Sequence, residues 1–363
     1  MNMIENIQLL KQYYSRYGGF WVYPDMLDYC YLVNPYFNRS KIIEEMQENF
    51  RILVSEYPAG MAVNSQLASE CWGIKPEYII PGNGAAELIK AIMESLEGKV
   101  GVVRPTFEEY PNRMPTERVE TFVPQNDMFR YGADDLIGYF SQHPVDTLLL
   151  INPDNPSGNF VPVDGIHKLA QWCEDNGIQF ILDESFVDFS FGYEQNTFLH
   201  DEILEKYPHM CVMKSISKSY GVPGLRLGIL CSANEALIAK IKKQVSIWNI
   251  NSFAEFFMQI YPKYREDYKH ACDLFIQARE DFEVELKKIP FIKVMPSQAN
   301  YFFLEVLPPY KPKELCAILL KKYNILASAC LAKKGIEPNR YMRIAVRNHG
   351  DNEKFIQALK ELM

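Results

Sequence analysis

What this chain lacks narrows its function first. Its 8 cysteines form no Cys-x-x-Cys pair and no regular framework, which argues against a disulfide-stapled scaffold and leaves them as reduced thiols. Its 6 histidines are scattered singly, so no metal site is expected. No apolar stretch approaches the length needed to span a membrane. Positive charge is scarce: 38 Lys and Arg against 46 Asp and Glu give a net charge of −8, with no basic stripe for a nucleic acid. The opening Met1-Asn2-Met3-Ile4-Glu5-Asn6 lacks the basic start and apolar core of a signal peptide. Internal repeats and low-complexity tracts are also missing. The expectation is a cytoplasmic protein with small molecules, not nucleic acid or membrane, as partners.

What is present fits a soluble α/β enzyme. At 363 residues, 48% hydrophobic and 23% charged, the chain can bury a sizeable core and divide into two lobes. Residues 1–40 read as an irregular, aromatic-rich arm. Across 41–250, short apolar strands near 100–103, 121–123, 147–151, 180–182, 211–213 and 227–231 alternate with amphipathic helices. That alternation predicts a mostly parallel sheet covered on both faces. Across 251–363, a long helical stretch broken early by Pro262 leads to strands near 291–294, 301–306 and 342–346. Helices near 313–322 and 352–362 complete a smaller α+β lobe.

Three segments carry chemistry. The first is Lys214-Ser215-Ile216-Ser217-Lys218-Ser219-Tyr220-Gly221-Val222-Pro223-Gly224-Leu225-Arg226. An amine such as Lys218 can form a Schiff base with a carbonyl. The surrounding hydroxyls and the forked guanidinium of Arg226 can hold a phosphate dianion. Taken alone, the run also reads as a basic surface turn. The second is Asn152-Pro153-Asp154-Asn155-Pro156-Ser157-Gly158, which ends an apolar strand. It is a tight loop by composition, placed where open α/β sheets bind ligands. The third is Phe180-Ile181-Leu182-Asp183-Glu184-Ser185-Phe186. Asp183 there is either a helix cap or a buried carboxylate that keeps a pyridine nitrogen protonated. A protonated pyridinium is the better electron sink, which is the use of pyridoxal phosphate.

In this order the three segments resemble the fold-type I pyridoxal-phosphate enzymes of the class I/II aminotransferase group. The branch they look most like holds histidinol-phosphate aminotransferases and threonine-phosphate decarboxylases. The resemblance runs from about Tyr31 to the C-terminus, and four further segments extend it. Pro81-Gly82-Asn83-Gly84-Ala85-Ala86 is similar to the family's phosphate turn. Arg104-Pro105-Thr106-Phe107-Glu108-Glu109-Tyr110 is similar to its ring-stacking segment. Ser297-Gln298-Ala299-Asn300-Tyr301-Phe302 is similar to a strand of its smaller domain. Tyr341-Met342-Arg343-Ile344-Ala345-Val346 is similar to the strand bearing its carboxylate-binding arginine.

The resemblance implies a large domain with a mostly parallel sheet flanked by helices, plus a smaller α+β domain that the arm joins. It implies pyridoxal 5'-phosphate as cofactor and a homodimer with shared active sites. Lys218 would hold the cofactor and move the proton, Asp183 would face the ring nitrogen, and Tyr110 would stack on the ring. Asn155 would meet the phenolic oxygen. Gly84, Ala85, Ala86, Ser215, Ser217 and Arg226 would hold the phosphate, with Tyr57 reaching it from the other subunit. Arg343 and Asn34 would contact substrate. Arg347 is a candidate second anion contact or a solvated loop arginine. One departure stands out: Phe186 occupies a position where family transaminases often carry a phenol, as the decarboxylase branch does not. The expected activity is amino-group transfer between an amino acid, or a phosphorylated or phosphonate amine, and a keto acid or aldehyde. Decarboxylation of a phospho-amino acid is the alternative, and a non-catalytic cofactor-binding homologue the third reading.

Overall fold

The computed structural model describes residues 3–37, 39–331 and 333–363; residues 1, 2 and 38 of the expected arm lie outside the described residues. Its largest sheet has seven strands in the order Ile79–Asn83, Leu227–Cys231, Met210–Ser215, Gln179–Asp183, Thr147–Ile151, Val100–Val103 and Val119–Phe122. The five strands from Met210–Ser215 onward run parallel, and Leu227–Cys231 is antiparallel to both neighbours. Strand Thr147–Ile151 is buried at every position. Its side chains alternate between two separate cores: Leu149 and Ile151 join one, Leu148 and Leu150 the other. A strand whose period-two pattern feeds two apolar layers must be covered on both faces, hence the unbroken apolar run. Each fully buried Leu or Ile there contributes roughly 1.5–3 kcal/mol.

Strand Ile79–Asn83 differs from the expected turn at 81–84. Pro81 has no N–H for a ladder, but this strand is a sheet edge that pairs only with Leu227–Cys231, where proline is tolerated. Helix Ala85–Ser95 starts directly after it and buries Leu88, Ile89, Ala91, Ile92 and Met93.

Beyond the large sheet, a 3₁₀ turn at Tyr261–Tyr264 containing Pro262 separates helix Ser252–Ile260 from helix Arg265–Leu286. A three-stranded antiparallel sheet follows, with Tyr301–Val306 between Ile292–Val294 and Tyr341–Ala345. The N-terminal segment is not irregular throughout, because Met3–Tyr14 is an α-helix. Ile7, Leu10 and Tyr14 recur on one helical face and pack into the core beside helix Pro312–Tyr323. Leu27–Asp28 then pairs in parallel with Ile325–Leu326, tying the N-terminal segment to the C-terminal part of the chain. No helix among the described residues is long and apolar enough to cross a membrane.

Candidate active site

The parallel strands deliver their last residues to one edge of the large sheet. Asp183 closes Gln179–Asp183, Asn152 follows Thr147–Ile151, and Ser215 closes Met210–Ser215. Asn152 N donates to Asp183 O at 2.9 Å, so adjacent strand ends are pinned together. Lys218 lies one short helical turn beyond Ser215. Its carbonyl accepts from Asn34 N at 2.9 Å, which ties the N-terminal segment to the lysine loop.

The Lys218 amine faces aromatic rings. Its Nζ is 4.1 Å from the centroid of Phe186 and 5.7 Å from that of Phe107. Burial lowers its pKa to about 8; Asp183 opposes the shift, and the like charges of Arg343 and Arg226 add to it. A lysine so placed is about one-tenth neutral at pH 7, far more than an ordinary amine, and the neutral form can attack a carbonyl.

Asp183 is buried with a donor on each oxygen. Ser185 N donates to Oδ1 and the Tyr110 hydroxyl to Oδ2, both at 2.8 Å. Tyr110 is the second of these donors. Expected to offer its ring, it is wholly buried with its hydroxyl committed to Asp183. Phe107, three residues earlier and packed edge-on to Tyr110, is one of the two aromatics beside Lys218, with Phe186.

The phosphate-type cradle also assembles. Gly84 has φ +71°, a left-handed conformation that favours glycine. A Cβ on Gly84 would lie 2.3 Å from the Arg226 guanidinium, so only glycine lets the two approach. Gly84 N donates to Arg226 O at 2.8 Å. No side chain caps the first amides of helix Ala85–Ser95, at Ala85 and Ala86. Ser215 and Ser217 lie at the same strand end, where Ser215 N bonds Ser185 Oγ at 2.9 Å and Ser217 Oγ bonds Leu227 O at 3.4 Å.

On the opposite side, Arg343 NH1 donates to Asn155 Oδ1 at 2.9 Å and NH2 to Cys30 O at 2.8 Å. Its guanidinium lies 5.5 Å from the Tyr301 ring, and its Nε is buried without a partner. With Asn155 Oδ1 occupied, the Asn155 amide N–H groups remain to donate elsewhere. Asn34 is fully buried; its Oδ1 accepts from Tyr36 N at 2.9 Å and its Nδ2 has no partner.

Two expected contacts are not brought to this cluster. Arg347 donates from Nε to Asp351 and from NH1 to Asp28 O, both at 2.9 Å, and lies against the Tyr29 ring. The strand ends at Ala345, and the acid in the first turn of helix His349–Lys360 captures the guanidinium. Tyr57 is 81% exposed and packs against Trp248. Sequence reasoning missed Phe107, Tyr301 and Lys333. Only the first left a signal, as one of two aromatics in a single segment. Among the described residues, no group of three or more His, Cys, Asp or Glu is placed to hold a metal. A cleft of about 720 Å³ beside helix His349–Lys360 carries none of this chemistry.

The groups fit a phosphorylated pyridine aldehyde: a poised amine, a carboxylate with fixed orientation, a guanidinium beside a glycine that admits no Cβ, and bare helix amides. The chain belongs to the family of class I and II aminotransferases, whose model matches residues 54–360. It is a pyridoxal-phosphate-dependent member of that family, and pyridoxal 5'-phosphate is its cofactor. It is 30% identical to the CMP-5'-(3-aminopropyl)phosphonate synthase of Streptomyces rubellomurinus, over 96% of this chain and 55% of that one. The chain thus spans about half the length of that relative. It is also 30% identical to the L-serine phosphate decarboxylase of Sulfurospirillum multivorans, over 93% of this chain and 88% of that one. Histidinol-phosphate aminotransferases and a threonine-phosphate decarboxylase are relatives too. A solved decarboxylase from Sulfurospirillum multivorans superposes with TM-score 0.86 at 27% identity, covering 99% of this chain and 97% of the other.

Proposed function

We propose that this chain is a pyridoxal-phosphate-dependent decarboxylase of a phosphorylated or phosphonate amino acid. The observation that carries the proposal is the 30% identity, across about nine-tenths of both chains, with an L-serine phosphate decarboxylase. This reading prefers what the sequence offered as its alternative over amino-group transfer. Phe186 supports it, since its ring, which cannot donate a hydrogen bond, lies against Lys218.

The bound cofactor supplies an electron sink for the pair released when the carboxylate leaves. The protein's residues do the rest. Asp183, oriented by Tyr110 and Ser185, holds a proton on the ring nitrogen. Phe107 would pack against the ring, the role first expected of Tyr110. Asn155, turned by Arg343, donates to the phenolic oxygen. Arg226, Ser215, Ser217 and the amides of Gly84, Ala85 and Ala86 anchor the phosphate. Lys218 holds the cofactor, then returns a proton to the substrate carbon. Arg343 and Asn34 hold the substrate. Arg343 would bind the distal anion of the substrate, which would leave the carboxylate free to depart as carbon dioxide while Lys218 supplies the replacing proton.

The assembly proposed is a homodimer in the cytoplasm, with Tyr57 completing the phosphate site of the second subunit. A single chain leaves Phe50, Ile52, Val54, Tyr57, Ile247 and Trp248 exposed, an apolar surface suited to a second copy. The division into arm 1–40, large domain 41–250 and small domain 251–363 is part of the same proposal. The test is carbon dioxide release from O-phospho-L-serine and O-phospho-L-threonine by the holoenzyme. Amino-group transfer to a keto acid with no carbon dioxide released would return the chain to the transaminase reading.

A further inference from the structure

We propose that Lys333 supplies a second cation on the Arg343 side of the site and that the pair selects substrates bearing a phosphate or phosphonate. The inference rests on the reading of the site as one that binds an amino acid.

Ser328 exchanges two backbone hydrogen bonds with Arg343, at 2.8 and 3.2 Å. The chain then leaves the sheet and reaches the opposite wall. Lys333 Nζ donates to Thr106 O, one residue before Phe107. Gly335, at φ +85°, lies so close to the Arg104–Pro105 bond that a Cβ would sit 2.8 Å from Arg104 Cβ. The segment is a strap, anchored beside Arg343 at one end and on residues 104–106 at the other.

Lys333 has three donors, and this backbone carbonyl takes one of them. Glu108 lies in an ion pair with Arg104 at 3.2 Å, though both its oxygens are buried without a hydrogen-bond partner, and Asp154 accepts from the Ser157 hydroxyl. Among the described residues, no carboxylate forms an ion pair with Lys333. Burial lowers its pKa, and the like charge of Arg343 adds to the shift; Cys330, Glu108 and Asp154 oppose it. Arg343 meanwhile keeps a buried Nε–H without a partner. Like charges in a partly desolvated place repel each other, and an added dianion relieves that repulsion. A phosphate or phosphonate has both the charge and enough oxygens for a guanidinium and an ammonium. Arg347, the first candidate for this role, is already committed to Asp351.

The test compares wild-type, Lys333→Met and Lys333→Arg holoenzymes. Each is titrated with O-phospho-L-serine and with L-serine while the cofactor's absorption band is followed. The wild type is expected to prefer the phosphorylated ligand. Lys333→Met should weaken O-phospho-L-serine binding about 10- to 100-fold. Its L-serine binding should not change, and Lys333→Arg should recover most of the loss. Equal weakening of both ligands would make the strap structural only and overturn the inference, as would no change in either. No preference for the phosphorylated ligand in the wild type would also overturn it. A phosphate preference that depends on Lys333, without carbon dioxide release, would leave this inference standing and sink only the decarboxylase reading.

Discussion

The wall of the site around Lys218 and the wall around Arg343 are built on different principles. In the first, Asp183, Ser215 and Lys218 sit at or just past the ends of neighbouring strands, so the sheet ladder brings their positions together. In the second, the Arg343 guanidinium is held by Asn155 and by Cys30 O, groups 188 and 313 residues away in sequence. A scaffold of buried parallel strands fixes the groups around Lys218, while converging loops hold the guanidinium of Arg343. The division suits a family in which one cofactor serves many substrates, because loops can change without disturbing the sheet.

The sharpest way to break the comparison is at its rigid end. Lys218→Ala should abolish covalent retention of the cofactor and lower turnover by at least about 10³-fold, since it removes both the attachment point and the proton-transfer group. Absorbance after dialysis and a carbon dioxide assay check it. Retained colour with unchanged turnover would sink the assignment of the whole first wall. Arg343→Met should act differently. Loss of a charge-assisted contact costs about 1.5–3 kcal/mol, or roughly 10- to 100-fold in KM, with the cofactor still bound. If instead the cofactor were lost, the two walls would not be separable.

The first wall was largely legible in the sequence, and the second was not. Apolar runs ending at Asn152 and Asp183 announce strand ends, and Gly84 before an amphipathic run announces a bare helix terminus. Edge strand Ile79–Asn83 escaped because Pro81 and Gly82 read as a turn, and only its place at the sheet edge makes them acceptable. Tyr110 and Phe107 share one segment, and nothing local says which ring faces Lys218. Arg343 and Arg347 are four residues apart, a spacing that would put both on one face of a continuing strand. The strand stops at Ala345 and a helix cap begins at Asn348, so that parity fails. Lys333 left no signal, because its neighbours come from three other parts of the chain.

A pH experiment sharpens the first wall. Capture of added cofactor by the apoprotein requires neutral Lys218. With its pKa lowered from 10.5 to about 8, the neutral fraction rises with pH and is mostly reached by about pH 9. Capture should therefore speed up about tenfold between pH 7 and 9 and then level off. A rate still climbing steeply through pH 10 would mean that Lys218 keeps an ordinary, solvated amine and is not desolvated between Phe186 and Phe107.

The smallest expected effect is at Arg347, and it tests which residues make up the second wall. Its side chain is 31% exposed and bonds Asp351 within one helical turn, so the pair is a partly solvated ion pair. Such pairs contribute about 0–1 kcal/mol. Arg347→Met removes that contact and the bond to Asp28 O. Melting temperature should fall by a few degrees at most, and KM for a phosphorylated amino acid should stay within about twofold. The same substitution at Arg343 should raise KM at least several times more. If Arg347→Met weakened phosphorylated ligands as strongly as Arg343→Met while sparing L-serine, Arg347 would swing away from Asp351 when substrate arrives. The second cation would then come from the start of the last helix, not from the strap that carries Lys333.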